Sequence, residues 1–262
     1  MTAPDVGTDL VLTERRGAVG IVTINRPDKY NAISPGVVDG LEQAFTELWD
    51  DRGIRAVVLT GSGRAFAAGA DIAFYATADH TDFAAYTERC NALCDRIASA
   101  VVPVVAAVTG VALGGGFELV LSCDVIVAEH NASFGLPEVA LGLMPGWGGT
   151  QRLTRLIGLN RAKWMIMSGE RLTAAAAEDL GIVTRTCERE NLLPVAVQLA
   201  DTLANQAPLA ISAIREAVTA AVTHSSGFRL ERQRLATLFD SRDGREGVDA
   251  FVHKRPARFS GR

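Results

Sequence analysis

Val101-Val-Pro-Val-Val-Ala-Ala-Val108 runs through Thr109 into Gly110-Val-Ala-Leu-Gly-Gly-Gly116 and on into Phe117-Glu-Leu-Val-Leu121. The first segment is a short apolar run that leads into glycine, the pattern of a buried strand. The last reads as an apolar helix start. Three adjacent glycines at such a strand-to-helix junction expose free N–H groups at the positive end of a helix dipole, a natural place to hold developing negative charge. On its own the triple glycine is better explained by tight packing of a helix against a strand.

The same alternation extends outward. Gly17-Ala-Val-Gly-Ile-Val-Thr-Ile-Asn25 reads as a strand that stops at Arg26-Pro27, because proline cannot donate to a sheet ladder. Arg55-Ala-Val-Val-Leu-Thr60 is a second buried strand, and Asp124 to Ala128 and Gly181 to Arg185 continue the series. Between them, Ser34-Pro35 resembles an N-cap with proline at the first helical position, followed by Val37, Val38, Leu41, Ala44, Phe45, Leu48 and Trp49 at helical spacing. Phe83, Tyr86, Cys90, Leu93, Cys94 and Ile97 form another helical stripe. Strands and helices that alternate in this way favour an α/β core. From about Leu192 only helices follow: Leu193 to Ala204, Leu209 to Val222, and a segment through Leu230, Leu235 and Leu238 to Phe239. The expected division is an α/β core over 1–191 and a helical domain over 192–262, whose amphipathic helices need a surface on which to bury their apolar faces.

Composition narrows the function. With 48% hydrophobic and 21% charged residues in 262, the chain is that of a globular protein. A formal net charge of -4 without a basic stripe argues against a nucleic-acid or membrane-surface partner. Cys90, Cys94, Cys123 and Cys187 are too few and too scattered for a disulfide framework, so reduced thiols and a cytoplasmic location are expected. No basic n-region or apolar h-region opens the sequence, and Ala100 to Val108 is far shorter than the roughly 20 residues of a membrane span. His80, His130, His224 and His253 show no metal-ligand spacing, and no metal is expected.

Two further loops carry small residues where connectors do not need them: Phe66-Ala-Ala-Gly-Ala-Asp-Ile72, and Phe134-Gly-Leu-Pro-Glu138 through Pro145-Gly-Trp-Gly-Gly-Thr-Gln-Arg152. Small side chains let a ligand approach backbone amides closely. The G-x-G-x-x-G dinucleotide fingerprint is absent at the glycine junction, and G-x-x-x-x-G-K-[ST] occurs nowhere, which disfavours nucleotide hydrolysis. Glu118 stands just inside an apolar helix start. It complements the helix dipole there, or it is a buried carboxyl group suited to proton transfer.

Taken together, Ala67-Ala-Gly-Ala-Asp-Ile72, Ala112-Leu-Gly-Gly-Gly-Phe-Glu-Leu119 and Phe134-Gly-Leu-Pro-Glu138 through Arg152 closely resemble the enoyl-CoA hydratase/isomerase family, the crotonase superfamily. The likeness begins at Asn25-Arg-Pro and Asn31-Ala32 and runs to Glu246-Gly-Val-Asp-Ala-Phe251 and Lys254-Arg255. It implies a spiral of ββα units with a C-terminal helical trimerisation domain, assembled as a homotrimer or as a hexamer of two trimers. The implied substrate is an acyl-CoA thioester, so coenzyme A arrives as part of the substrate and no separate cofactor is needed. By motif position the oxyanion hole is formed by the amides of Ala70 and Gly115. Ala68, Asp71, Ile72, Ala73, Gly114, Gly146 and Trp147 are the implied substrate-binding positions.

Hydratases of the family carry two glutamates, which match Glu118 and Glu138 here. Syn addition of water to a trans-2-enoyl thioester needs a base for the water and an acid for Cα of the enolate. The resemblance assigns proton transfer at Cα to Glu138, the water to Glu118, and help in holding that water to the Gly146 amide. Two departures concern the substrate. Ala73 stands where many hydratases have a lysine for the CoA phosphates, which leaves Arg26, Lys29 and, from a neighbouring subunit, Lys254 as candidates; Trp147 replaces a small residue and bears on the acyl pocket. The other readings are a double-bond isomerase, a specialised acyl-CoA dehydratase, and a non-catalytic acyl-CoA- or RNA-binding member of the family.

Overall fold

The computed structural model describes residues 10–220 and 235–258; Val222, His224 and Leu230 lie outside them. Nine strands form two sheets among the described residues. The large sheet has the order β1 (Val11–Arg16), β2 (Val19–Ile24), β3 (Ala56–Gly61), β4 (Val104–Val108), β6 (Val125–Glu129) and β9 (Arg185–Cys187), parallel except for the β1–β2 pair. The small sheet is β5 (Val111–Leu113), β7 (Ser133–Gly135) and β8 (Arg171–Thr173).

A repeated path links the sheets. The chain crosses the large sheet, turns into a short strand of the small sheet, and leaves in a helix: β4, β5 and α4 (Gly115–Val120), then β6, β7 and, after a 3₁₀ turn at Pro137–Leu141, α5 (Gly149–Ile157). An isolated bridge from Ala67 to Ala112 gives the unit that begins with β3 the same shape, with α2 (Ile72–Tyr75) and α3 (His80–Ser99) as its helices. This is the crotonase-like spiral.

Local sequence explains the elements that were readable. Ser34 caps α1 (Pro35–Asp50) by accepting the Val37 N–H, and Val37, Val38, Leu41, Ala44 and Phe45 bury one face. Cys90 and Cys94 are buried on α3 as small core residues, and all four cysteines are free.

Three expectations shift. The strand read from Val101 starts at Val104, because Pro103 cannot donate and Val101 is 65% exposed. The strand read at Gly181 to Arg185 is Arg185–Cys187. Gly181, at φ +74°, ends α7 (Ala174–Asp179), and Ile182 and Val183 donate back to the Ala177 carbonyl, which removes them from the ladder. The run Gly110 to Gly116, read as a loop joining a strand to a helix, contains β5, and α4 starts at Gly115 rather than Phe117.

The helices after Leu192 are α8 (Leu192–Ala204), α9 (Pro208–Ala220), a helical stretch over 235–240, and α10 (Arg242–Val252). Leu192, Ala196, Ala200 and Ala204 of α8 pack into one cluster with Val19, Ile21, Ala56, Val58, Val105, Ala107 and Val127. The other face of the large sheet packs against α1 and α3. The described strands and helices include none long and apolar enough to cross a membrane as a helix.

Candidate active site

Parallel register brings the three small-residue loops to one level. Ala67 bridges Ala112, and Ala112 pairs with Phe134. Three residues further along each chain stand Ala70, Gly115 and Pro137, followed by Glu138. Together they line a cavity of about 360 Å³. Of the residues singled out by resemblance, Ala68, Ala70, Ile72, Gly114, Gly115, Glu118, Glu138, Gly146 and Trp147 line it. Asp71, Ala73, Arg26, Lys29 and Lys254 do not.

Two backbone donors face this space. Ile33 takes both the carbonyl of Gly69 (2.8 Å) and the N–H of Asp71 (2.9 Å), so the N–H of Ala70 between them points to the opposite side. Gly115 is the first residue of α4, where helix geometry leaves the N–H without an intrahelical acceptor. Among the described residues neither N–H has a partner. Gly114 at φ +50° makes the turn, and a Cβ there would stand 3.1 Å from Glu138 Oε1.

Glu118 is 1% exposed. Its Oε1 accepts the N–H groups of Trp147 and Gly149, both at 2.8 Å, so this oxygen is held as an acceptor and the carboxyl group cannot turn freely. Burial, rather than dipole compensation at a solvated helix end, is therefore its setting. Glu138 is half-buried on the 3₁₀ turn Pro137–Leu141. The loop carrying Gly146 and Trp147 is pinned to α3: Asn91 Nδ2 donates to the Gly146 carbonyl (2.9 Å), and Arg152 bridges the Trp147 carbonyl and Asp95 (2.7 Å each).

The remaining wall was not legible in the sequence. Tyr75, Leu143, Met144, Arg171, Leu235 and Phe251 belong to it, drawn from α2, the loop after the 3₁₀ turn, β8 and the C-terminal helices. Tyr75 is buried, and its phenol is pushed well above its usual pKa by burial first, then by Cys90, Glu118 and Glu138. It stays a neutral O–H across the physiological range.

The positively charged candidates are placed differently from one another. Arg26 Nη1 donates to Asp71 Oδ2 (2.7 Å) and to the Ala32 carbonyl, and Asp71 also caps α2 by accepting the Ala73 N–H. Both therefore stabilise the loop. Ala73 is exposed on α2, Lys29 is exposed on a 3₁₀ turn (Pro27–Lys29), and Lys254 is exposed just beyond α10. No cluster of three or more metal-ligating side chains occurs among the described residues.

Comparison with known proteins gives consistent matches. The profile of the enoyl-CoA hydratase/isomerase family matches residues 14–262. A probable enoyl-CoA hydratase of Mycobacterium tuberculosis is 42% identical over 97% of this chain and 99% of its own. A 2,3-dehydroadipyl-CoA hydratase of Escherichia coli is 39% identical over 96% of this chain and 99% of its own. The crystal structure of an enoyl-CoA hydratase subunit from Geobacillus kaustophilus superposes with a TM-score of 0.78 at 46% identity, covering 97% of this chain and 98% of that one.

Proposed function

The chain belongs to the enoyl-CoA hydratase/isomerase family, and from that premise we propose that it is an enoyl-CoA hydratase, adding water syn across trans-2-enoyl-CoA through a thioester enolate. The observation that carries this reading is the meeting of Glu118 and Glu138 in one cavity with the partnerless N–H groups of Ala70 and Gly115. The two amides receive the thioester oxygen, and fixed donors aimed at a developing oxyanion are each worth about 2.7–4 kcal/mol by deletion. Because the donors are backbone groups, the residues around them need only be small.

Glu118, oriented by the Trp147 and Gly149 amides, positions and deprotonates the water. Glu138 exchanges the proton at Cα. The N–H of Gly146, whose carbonyl is tied to Asn91, helps to hold the water. No cofactor is required, since coenzyme A is part of the substrate. Its phosphates fall to Lys29 and, from a second subunit, Lys254, since Arg26 is engaged by Asp71. A homotrimer or a dimer of trimers is supported by the exposed apolar side chains Leu156, Leu159, Trp164 and Met167 on α5 and α6 (Leu159–Ser168). The cytoplasm, with neither nucleic acid nor membrane as a partner, fits the reduced cysteines and the acidic net charge.

The test is loss of enoyl-thioester absorbance with crotonyl-CoA and a ten-carbon enoyl-CoA, with the product weighed for one added water. Glu118→Gln and Glu138→Gln should each lower kcat by about 10²–10⁴-fold while circular dichroism stays unchanged. A shifted double bond without added water would identify an isomerase instead.

A further inference from the structure

Tyr75 is a buried wall residue whose polar group the proposed hydration leaves unused. It closes α2, is 6% exposed, and lines the cavity beside Leu143, Met144, Trp147 and Leu235. Three aromatic rings hold it edge-on, Phe83 at 5.1 Å, Tyr86 at 5.9 Å and Phe239 at 6.3 Å between centroids. None of these contacts hydrogen-bonds the phenol. The Tyr86 hydroxyl, by contrast, donates to the Ile33 carbonyl at 2.6 Å. Among the described residues no group pairs with the hydroxyl of Tyr75.

A hydroxyl that opens onto the cavity loses its hydrogen bonds when a ligand without a polar partner fills the space, so a pocket that keeps one discriminates against such ligands. Phenylalanine would fill the same space without that cost. The amides of Ala70 and Gly115 and the two glutamates already account for the thioester and the two reacting carbons. What remains for Tyr75, among apolar neighbours, is the acyl chain beyond its Cβ. The charges lining the cavity select further: Glu118 and Glu138 repel an anionic chain end, and Arg171 lies exposed on β8.

We propose that Tyr75 is a specificity-determining residue whose hydroxyl selects enoyl thioesters carrying an uncharged oxygen, as a hydroxyl, ether or ketone, on the acyl chain beyond Cβ, over hydrocarbon chains of the same length. This rests on the hydratase reading of the same cavity.

The probes are saturated acyl-CoAs, which bind without reacting: hexanoyl-CoA, its hydroxylated analogues at each carbon beyond Cβ, and the carboxylate-ended adipyl-CoA. Titration calorimetry on the full chain should find one hydroxylated analogue bound about 10- to 100-fold more tightly than hexanoyl-CoA. In Tyr75→Phe that ratio should collapse to near one, with thermal melting showing the fold retained. Tyr75→Met, which also lacks the hydroxyl, should collapse it likewise.

Equal affinities in the unaltered protein, a ratio that survives Tyr75→Phe, or adipyl-CoA as the tightest ligand would each overturn the selection. So would an equal loss of kcat on every enoyl substrate in Tyr75→Phe, since the hydroxyl would then serve the reaction itself. Failure of the hydratase reading is separately visible: the affinity ratio would appear, but no water would be added to the matching enoyl-CoA. If no acyl-CoA binds at all, both readings fall.

Discussion

Replacing Gly115 by alanine would place a methyl carbon 2.0 Å from Cζ3 of Trp147 and 2.4 Å from Cε3 and Cη2. Carbon atoms in contact sit at about 3.5–4.0 Å, so roughly 1.5 Å of separation must be found. The indole has little freedom to provide it. Trp147 is 2% exposed, its backbone N–H is bound to Glu118 and its backbone carbonyl to Arg152, and its ring meets Tyr86 edge-on at 5.8 Å. Overpacking of this kind costs about 1–3 kcal/mol of stability. Part of the strain falls on the Gly115 backbone, whose N–H is the proposed oxyanion donor. A displacement near 1 Å at a positioned group costs about 10²-fold in rate, and full loss of the donor about 10²–10³-fold. Gly115→Ala should therefore show kcat for crotonyl-CoA hydration lower by about 10²-fold or more, with a urea midpoint lowered by a corresponding amount. Trp147→Leu, made in the same chain, removes the overlapping ring atoms and should recover part of the lost rate. A Gly115→Ala enzyme with unaltered kcat would refute the reasoning, and so would a double variant whose loss equals the sum of the two single losses, because the clash would then not be the cause.

Asn31 is fully buried at φ +56°, accepts the Arg26 N–H, and donates to the carbonyls of Ser62 and Ala65; Asn31→Ala should destabilise by at least about 2 kcal/mol in chemical denaturation, since it strands buried groups in a left-handed turn. The buried Glu129 carboxylate accepts the Thr109 hydroxyl and the Gly110 N–H at 2.8 Å each, at the turn between β4 and β5. Glu129→Ala should cost about 1.5–3 kcal/mol by the same measurement. At the surface, the Arg255 guanidinium and then the Arg258 N–H hold the Glu246 carboxyl down to about 2 from its ordinary 4.5. A depressed carboxyl stabilises the fold above its ordinary value and loses that contribution as pH falls toward its folded value. The protection factor of the α10 amides, their exchange relative to an unstructured chain at the same pH, should therefore fall between pH about 4.5 and about 2, the more so at low salt, and Arg255→Ala should weaken that pH dependence.

The sequence by itself determined the elements whose information is local. Ser34-Pro35 with its helical stripe gave α1, the β-branched runs gave β2, β3, β4 and β6, and the glycine junction announced the start of α4. The motif order was enough to bring Ala70, Gly115, Glu118 and Glu138 forward as one group. Other elements left no local trace. Strands β5, β7 and β8 are three residues each, too short for a period of two to register, and β1 reads Val-Leu-Thr-Glu-Arg-Arg with its charges in solvent. Only the tertiary structure decided what closes the cavity. Leu235 and Phe251 reach it from the C-terminal helices, Arg171 from a strand at the sheet's edge, and Tyr75 is left with an unshared hydroxyl by the rings packed around it. It also decided that Arg26 is committed to Asp71, 45 positions away. Contacts of that range depend on the register between strands and on helix packing, which no window of sequence contains.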